Sequence, residues 1–260
     1  MDREMAGCLL PDHVLGALDQ WWSRNAVRLA NGTPGSHAVL YTPSRWARIT
    51  PWPASLTPAS QAGDARISRA EVASTVADAL RRGAFGEALV VTYVWGKGKR
   101  GSPGGSGPAT LRRILAASDL EAVLARTEAV TTLRGAGAEA AYAELLGRIR
   151  GLGPSFFTKF LYFAGASVPP AAGPRPLILD RVLARRLRSL AQAVGQETGH
   201  DPDGSIARWV WREGGWSAHR YGVYCSFMQA AAEQAAASGA LPSRAAPDLL
   251  EYALFNVSWT

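Results

Sequence analysis

Apolar and polar residues along this 260-residue chain recur with a helical period over most of its length. That period predicts helices at 11–29, 110–117, 120–133, 138–148, 155–164, 181–193, 206–211, 219–237 and 249–255, most of them separated by glycine or proline. Ser68-Arg69-Ala70-Glu71 is a capping-box pattern that opens a further, alanine-rich helix ending near Arg82. Residues 85–95 are an apolar run without alternation, which period alone leaves open between buried helix and strand. The proline-rich stretch 42–58 reads as irregular or short extended segments, and the glycine-rich stretch 96–108 as a loop. There is no internal repeat, and no alternation long enough for a sizeable sheet. The fold class expected is mostly α, with residues 1–66 an N-terminal extension packed on a domain spanning 67–260.

Composition narrows the classes. Hydrophobic residues make up 47% of the chain, enough for a substantial core. No apolar run approaches the ~18 residues of a membrane span, and Met1-Asp2-Arg3-Glu4 lacks a signal-peptide pattern, so a cytoplasmic, membrane-free protein is expected. Cys8 and Cys225 cannot supply a four-cysteine metal site. His13, His37, His200 and His219 show no metal-ligand spacing. No metal and no cofactor are expected. Net charge is +7 and the pI near 9.8, which favours a polyanionic partner, nucleic acid first. A general bias toward arginine would raise the pI equally. The nine tryptophans and seven tyrosines suit base stacking or a core.

The 28 basic residues comprise 25 arginines and three lysines. Lys97 and Lys99, with Arg100, lie in the glycine-rich stretch, where they suit phosphate contacts or a solvated linker equally. Lys159 lies among five aromatic rings in Gly-Leu-Gly-Pro-Ser-Phe-Phe-Thr-Lys-Phe-Leu-Tyr-Phe-Ala-Gly. Arginine stays protonated, whereas a desolvated lysine can become an amine nucleophile. The plainer alternative is a lysine snorkelling its ammonium out of a core helix.

Helix 138–148 runs through Arg150-Gly151-Leu152-Gly153-Pro154 into helix 155–164, a helix-hairpin-helix arrangement. Gly151 and Gly153 permit a tight turn and close approach to a phosphate, and the amide end of the second helix, from Ser155, would bind it. Helical projection puts Ser155, Lys159, Tyr162, Phe163 and Ala166 on one face, with Phe157, Leu161 and Ala164 opposite as the core side. Twenty-one residues past Lys159, Asp180 follows three apolar residues at a helix start. Aspartate is a preferred N-cap there; it could also share a cleft with the lysine.

These residues together resemble the helix-hairpin-helix DNA glycosylases, and most closely the 8-oxoguanine DNA glycosylase group with its bacterial and archaeal relatives, over roughly residues 68–257. The resemblance implies a two-lobed helical fold with the active-site cleft between lobes. It implies a monomer acting on double-stranded DNA, with a damaged or modified base flipped out and excised. Lys159 takes the nucleophile's role and Asp180 that of the acid promoting base loss. Arg150, Gly151, Gly153 and Ser155 would hold phosphates, and Trp95, Tyr162, Phe163, Tyr221 and Tyr224 are candidates for the base pocket. The common pattern puts the lysine at the position of Ser155; here it comes one turn, about 5–6 Å, later. The usual Val-Asp-x-His-Val becomes Leu179-Asp180-Arg181-Val182-Leu183, without the histidine. Both shifts resemble the more divergent archaeal type, and the missing iron–sulfur motif excludes the endonuclease III branch. Lyase chemistry through a lysine Schiff base and monofunctional water attack both remain open. So do 8-oxoguanine and a hypermodified cytosine of phage DNA, removed in defence. A non-catalytic DNA-binding module would explain the charge and hairpin, but not the lysine paired with an aspartate.

Overall fold

A computed structural model describes residues 10–29, 34–99, 107–116, 120–168 and 173–257, with backbone alone for 120–126. Cys8 and Arg100 lie outside the described residues, as does much of the glycine-rich stretch. Contacts group the chain into two units, Gly35–Ile178 and the combination of Met1–Pro34 with Leu179–Thr260. The first 66 residues, expected as one extension, are thus divided between the units at Pro34. The described residues are mostly helical, as the periodicity predicts.

In the contiguous unit, β1 (Ala38–Tyr41) and β2 (Ala65–Ser68) pair antiparallel from Ala38 opposite Ser68 to Tyr41 opposite Ala65. β2 leads directly into the helix α2 (Arg69–Arg81), numbered after α1 (Asp12–Asn25) in chain order. The capping box of α2 is complete: Ser68 Oγ accepts from Glu71 N at 3.2 Å, and Glu71 Oε2 accepts from Ser68 N at 2.7 Å. The undecided run is helix α3 (Phe85–Lys97), and every residue from Ala88 to Trp95 is buried. Packing against α2, β1 and the later helices covers it on all sides, which is why its sequence shows no polar stripe. The helix also takes in Gly96 and Lys97, expected in a loop, and α4 (Gly107–Ala116) takes in Gly107 and Pro108 from that loop's other end.

Helix α5 (Leu120–Leu145) is broken at Gly137, whose φ of 86° lies in the left-handed region. The break falls where two predicted helices were to meet, and the second segment ends three residues short of Arg148. Arg148 Nη1 donates to Glu128 and Glu144, both at 2.8 Å, so one guanidinium ties the two segments together. Helix α6 (Pro154–Ser167) packs on α2, α3 and α5. Its Phe157, Phe160, Leu161 and Phe163 are buried, each contributing about 1.5–3 kcal/mol.

The second unit holds α1, α7 (Arg181–Thr198), α8 (Ser205–Val210), α9 (Ala218–Ala237) and α10 (Pro247–Asn256), with α10 packed on α1, α7 and α9. Leu29, Leu249 and Tyr252 form an apolar cluster against which Trp21 and Trp22 pack. Leu10 N donates to Gln234 Oε1 at 2.8 Å, and Leu10 O accepts from Gln234 Nε2 at 3.1 Å. No helix among the described residues is long and apolar enough to cross a membrane, and none of their side chains cluster as a metal site.

Candidate active site

The turn between α5 and α6 is anchored from inside. Leu152 N donates to Ile149 O at 3.0 Å, and both side chains are buried. Arg150, Gly151, Gly153 and Ser155 are exposed or nearly so around them. Gly151 has φ of 85°, where an L side chain is strained. Gly153 differs: its φ is −84°, and a Cβ added there would meet nothing within 4 Å. The fold therefore does not require glycine at 153. That residue is the N-cap of α6 and offers no side-chain cap, and Pro154 has no N–H. A bare N-cap on a 14-residue helix leaves its positive end open to an anion. Arg150 is exposed beside it, whereas Arg148 is engaged by two carboxylates. A Cβ on Gly151 would lie 3.6 Å from Ile114, so α4 abuts the turn with its exposed Arg112 and Arg113.

One turn into α6, Lys159 is 7% exposed. Its Nζ donates to the Ser155 carbonyl at 2.7 Å and stands 5.6 Å from the Phe156 ring centroid. The head group turns back along its own helix toward the hairpin end. Its stem crosses Gly96: a Cβ there would stand 2.6 Å from Lys159 Cδ and 3.1 Å from Cε. The opposite face behaves as projected, with Phe157, Leu161 and Ala164 fully buried. Phe163 is buried too, while Ser155 and Ala166 are exposed, so the lysine's face is buried along its middle and opens to the surface at both ends.

Trp95 precedes Gly96 and meets Phe163 edge-on at 5.2 Å and His37 at 5.4 Å. Its Nε1 is buried without a hydrogen-bond partner. Tyr162, half-buried, lies 4.9 Å from Phe163. Between Trp95 and Tyr162 sits Arg69, its Cζ 5.2 Å from one ring centroid and 5.3 Å from the other. Arg69 Nε donates to His37 Nδ1 at 3.3 Å, and its Nη1 to the Tyr162 hydroxyl at 3.4 Å. A buried guanidinium held by aromatic faces is attracted to them by their quadrupoles. The unit that carries Lys159 thus also holds the buried guanidinium of Arg69, the rings around it and a buried indole N–H without a hydrogen-bond partner.

Asp180 caps α7 in the other unit. Its Oδ1 accepts from Val182 N at 2.9 Å and from Leu183 N at 3.1 Å, so the N-cap role expected of an aspartate at this position is filled.

The sequence model of one protein family, described as "Putative 8-oxoguanine DNA glycosylase OGG-like protein", matches residues 32–255. The chain belongs to this family. No curated protein and no solved structure matches it. For an OGG-like chain, a DNA glycosylase function follows as the broad class.

Within the OGG-like chain the candidate residues are divided between the two units. Trp95, Tyr162, Phe163, Lys159 and the hairpin belong to Gly35–Ile178; Asp180, Tyr221 and Tyr224 belong to the other unit. Tyr221 and Tyr224 are fully buried, with Trp216 edge-on to Tyr224 at 6.0 Å, and they serve that unit's core. Lys97 is half-buried at the end of α3, and a Cβ on Gly107 would lie 2.7 Å from its Cγ. Lys99 is exposed and paired with Asp64. Sequence reading missed Arg69, His37 and Gly96. The first was one of 25 arginines, and its partners are 32 and 93 residues away.

Proposed function

We propose that this protein is a DNA glycosylase that excises a damaged or modified base, with Lys159 as its nucleophile. The observation that carries the reading is a nearly buried lysine one turn inside an open, phosphate-ready helix end, with Gly96 vacating the space for its stem. Arg150, Gly151, Gly153 and Ser155 hold backbone phosphates without reading sequence. The target nucleotide leaves the stack, at a cost of a few kcal/mol, and Trp95 and Tyr162 offer ring faces for the base. Deprotonated Nζ forms a bond to C1′ as the glycosidic C–N bond breaks, and the base departs with that electron pair and takes a proton. Asp180 stabilises the oxocarbenium-like charge that develops. Opening of the sugar ring gives an iminium, from which loss of a C2′ proton expels the 3′ phosphate. Without that attack, water assisted by Asp180 leaves an abasic site.

The substrate proposed is 8-oxoguanine or a hypermodified cytosine of phage DNA. A pocket that hydrogen-bonds a distinctive group can reject bases lacking it by several powers of ten. The test is base release from a panel of modified duplexes, followed by borohydride trapping. Release with trapping supports the lysine route, and release without trapping supports water attack. If no modified duplex loses a base, the protein is a DNA-binding module.

A further inference from the structure

In the unit that carries Asp180, the side chains on α7, on α8 and at the start of α9 form a surface with no counterpart in the hairpin. Trp209 is 66% exposed on α8, and Ile206 on the same helix is 58% exposed. A tryptophan so open to solvent leaves a large apolar face uncovered, a loss that burial against a partner would recover. Arg220 lies with its Cζ 5.1 Å from the Trp209 ring centroid. It stands in the first turn of α9, the positive end of that helix's dipole, where a cation is disfavoured. Its Nη1 is buried and has no hydrogen-bond partner. Burial first, and then the Arg212 charge, lower its proton affinity.

The segment between α8 and α9 is held rigidly enough to keep this arrangement. Trp216, buried, donates from Nε1 to Arg212 O at 2.6 Å, and Arg212 Nη2 donates to Gly215 O at 2.8 Å. Ser217 Oγ accepts from Arg220 N at 3.2 Å. Next to Arg212, Glu213 takes three arginines from α7: Arg185 at 2.7 Å, Arg181 at 3.6 Å and Arg188 at 3.8 Å. Three arginines of α7 thus share the Glu213 carboxylate, and the helix bearing them is the one Asp180 caps.

We infer that Trp209, Arg220 and Arg212 form a second DNA contact, in which the indole stacks on an unstacked base and the guanidiniums hold its flanking phosphates. The inference rests on DNA being the substrate. A nucleic acid supplies both things the surface lacks, a π face for Trp209 and an anion between two mutually repelling arginines. Single-strand contacts of this kind combine a stacking platform with a cationic track, and the arginines of α7 continue that track toward Asp180.

The experiment is fluorescence anisotropy of the full chain with a labelled single-stranded oligonucleotide and with a fully paired duplex. Trp209→Ala, at an exposed position, should fold normally and weaken single-strand binding about tenfold, with a smaller loss on the paired duplex. Trp209→Phe should retain most of the affinity. Arg220→Gln should reduce the salt slope by roughly 0.7 on the single strand. Unchanged single-strand affinity in Trp209→Ala overturns the inference, and so does an equal loss for Ala and Phe. Base release is read separately: binding that needs Trp209 in a protein that releases no base keeps the surface and removes the glycosylase. Release intact beside Trp209-independent binding does the reverse.

Discussion

The stem of Lys159 lies where a side chain on residue 96 would have to be: Cδ stands 2.6 Å from the position of a Cβ on Gly96. A methyl group cannot enter at that distance without moving the lysine. Gly96→Ala should therefore lower base release at least tenfold, because a displacement of about 1 Å at a reacting group can cost a hundredfold. The lysine stem is flexible, so the melting temperature should fall only slightly. Gly165→Ala is the contrast. Its Cβ would stand 2.5 Å from Pro176 Cγ, in a ring that cannot swing away, and the loss should appear in stability. Single-turnover rates and thermal unfolding of both variants separate the two effects.

Lys159→Met should abolish borohydride trapping while leaving the melting temperature unchanged or raised. The substitution keeps an unbranched chain in a 7% exposed position and removes the cost of burying a polar head group there. A stabilised but inactive variant is the pattern expected where a site is kept at the expense of the fold. Trapping that persists would remove Lys159 from the chemistry.

Asp180 is a helix cap, and substitution can divide that role from the catalytic one proposed for it. Asn preserves an acceptor for Val182 N and Leu183 N and should cost a few tenths of a kcal/mol or less; Ala removes it and should cost about 1 kcal/mol. Turnover should drop by orders of magnitude in both. An active Asp180→Asn enzyme would reduce this residue to a helix cap.

At the hairpin, the two glycines should answer differently. Gly153→Leu has ordinary φ and open space, so it should leave stability intact and weaken all duplexes alike. Gly151→Ala forces a side chain into φ of 85° and should cost about 1 kcal/mol before any DNA is added. Salt titrations and chemical unfolding of the pair show whether the bare N-cap of α6 is reserved for phosphate.

Features that depend on near neighbours were legible in the sequence. The capping box at Ser68 and Glu71 spans four residues, and the buried face of α6 follows from helical spacing. Asp180 as a cap is equally local. Features set by distant packing were not. α3 is covered on every side, so its sequence has no stripe to distinguish helix from strand. Gly96 and Lys97 look like the start of a loop because glycine and lysine are poor evidence for a buried helix end. Only the crossing of the Lys159 stem, 63 residues on, shows why glycine stands at 96. Arg69 likewise acquires its meaning from Trp95 and Tyr162 on two other helices.

The pairing of Leu10 with Gln234, across 224 residues of chain, bears on the order in which the molecule can be made. The unit with Lys159 is one uninterrupted stretch, so its internal contacts can all form once residue 178 has left the ribosome. The unit with Asp180 begins with α1, whose partner α10 is synthesised more than two hundred residues later. Throughout elongation α1 must wait for α10, while the lysine-bearing stretch has already been synthesised. Shortening the chain before Pro247 should accordingly spare the unit that was finished first and undo the one that closes last.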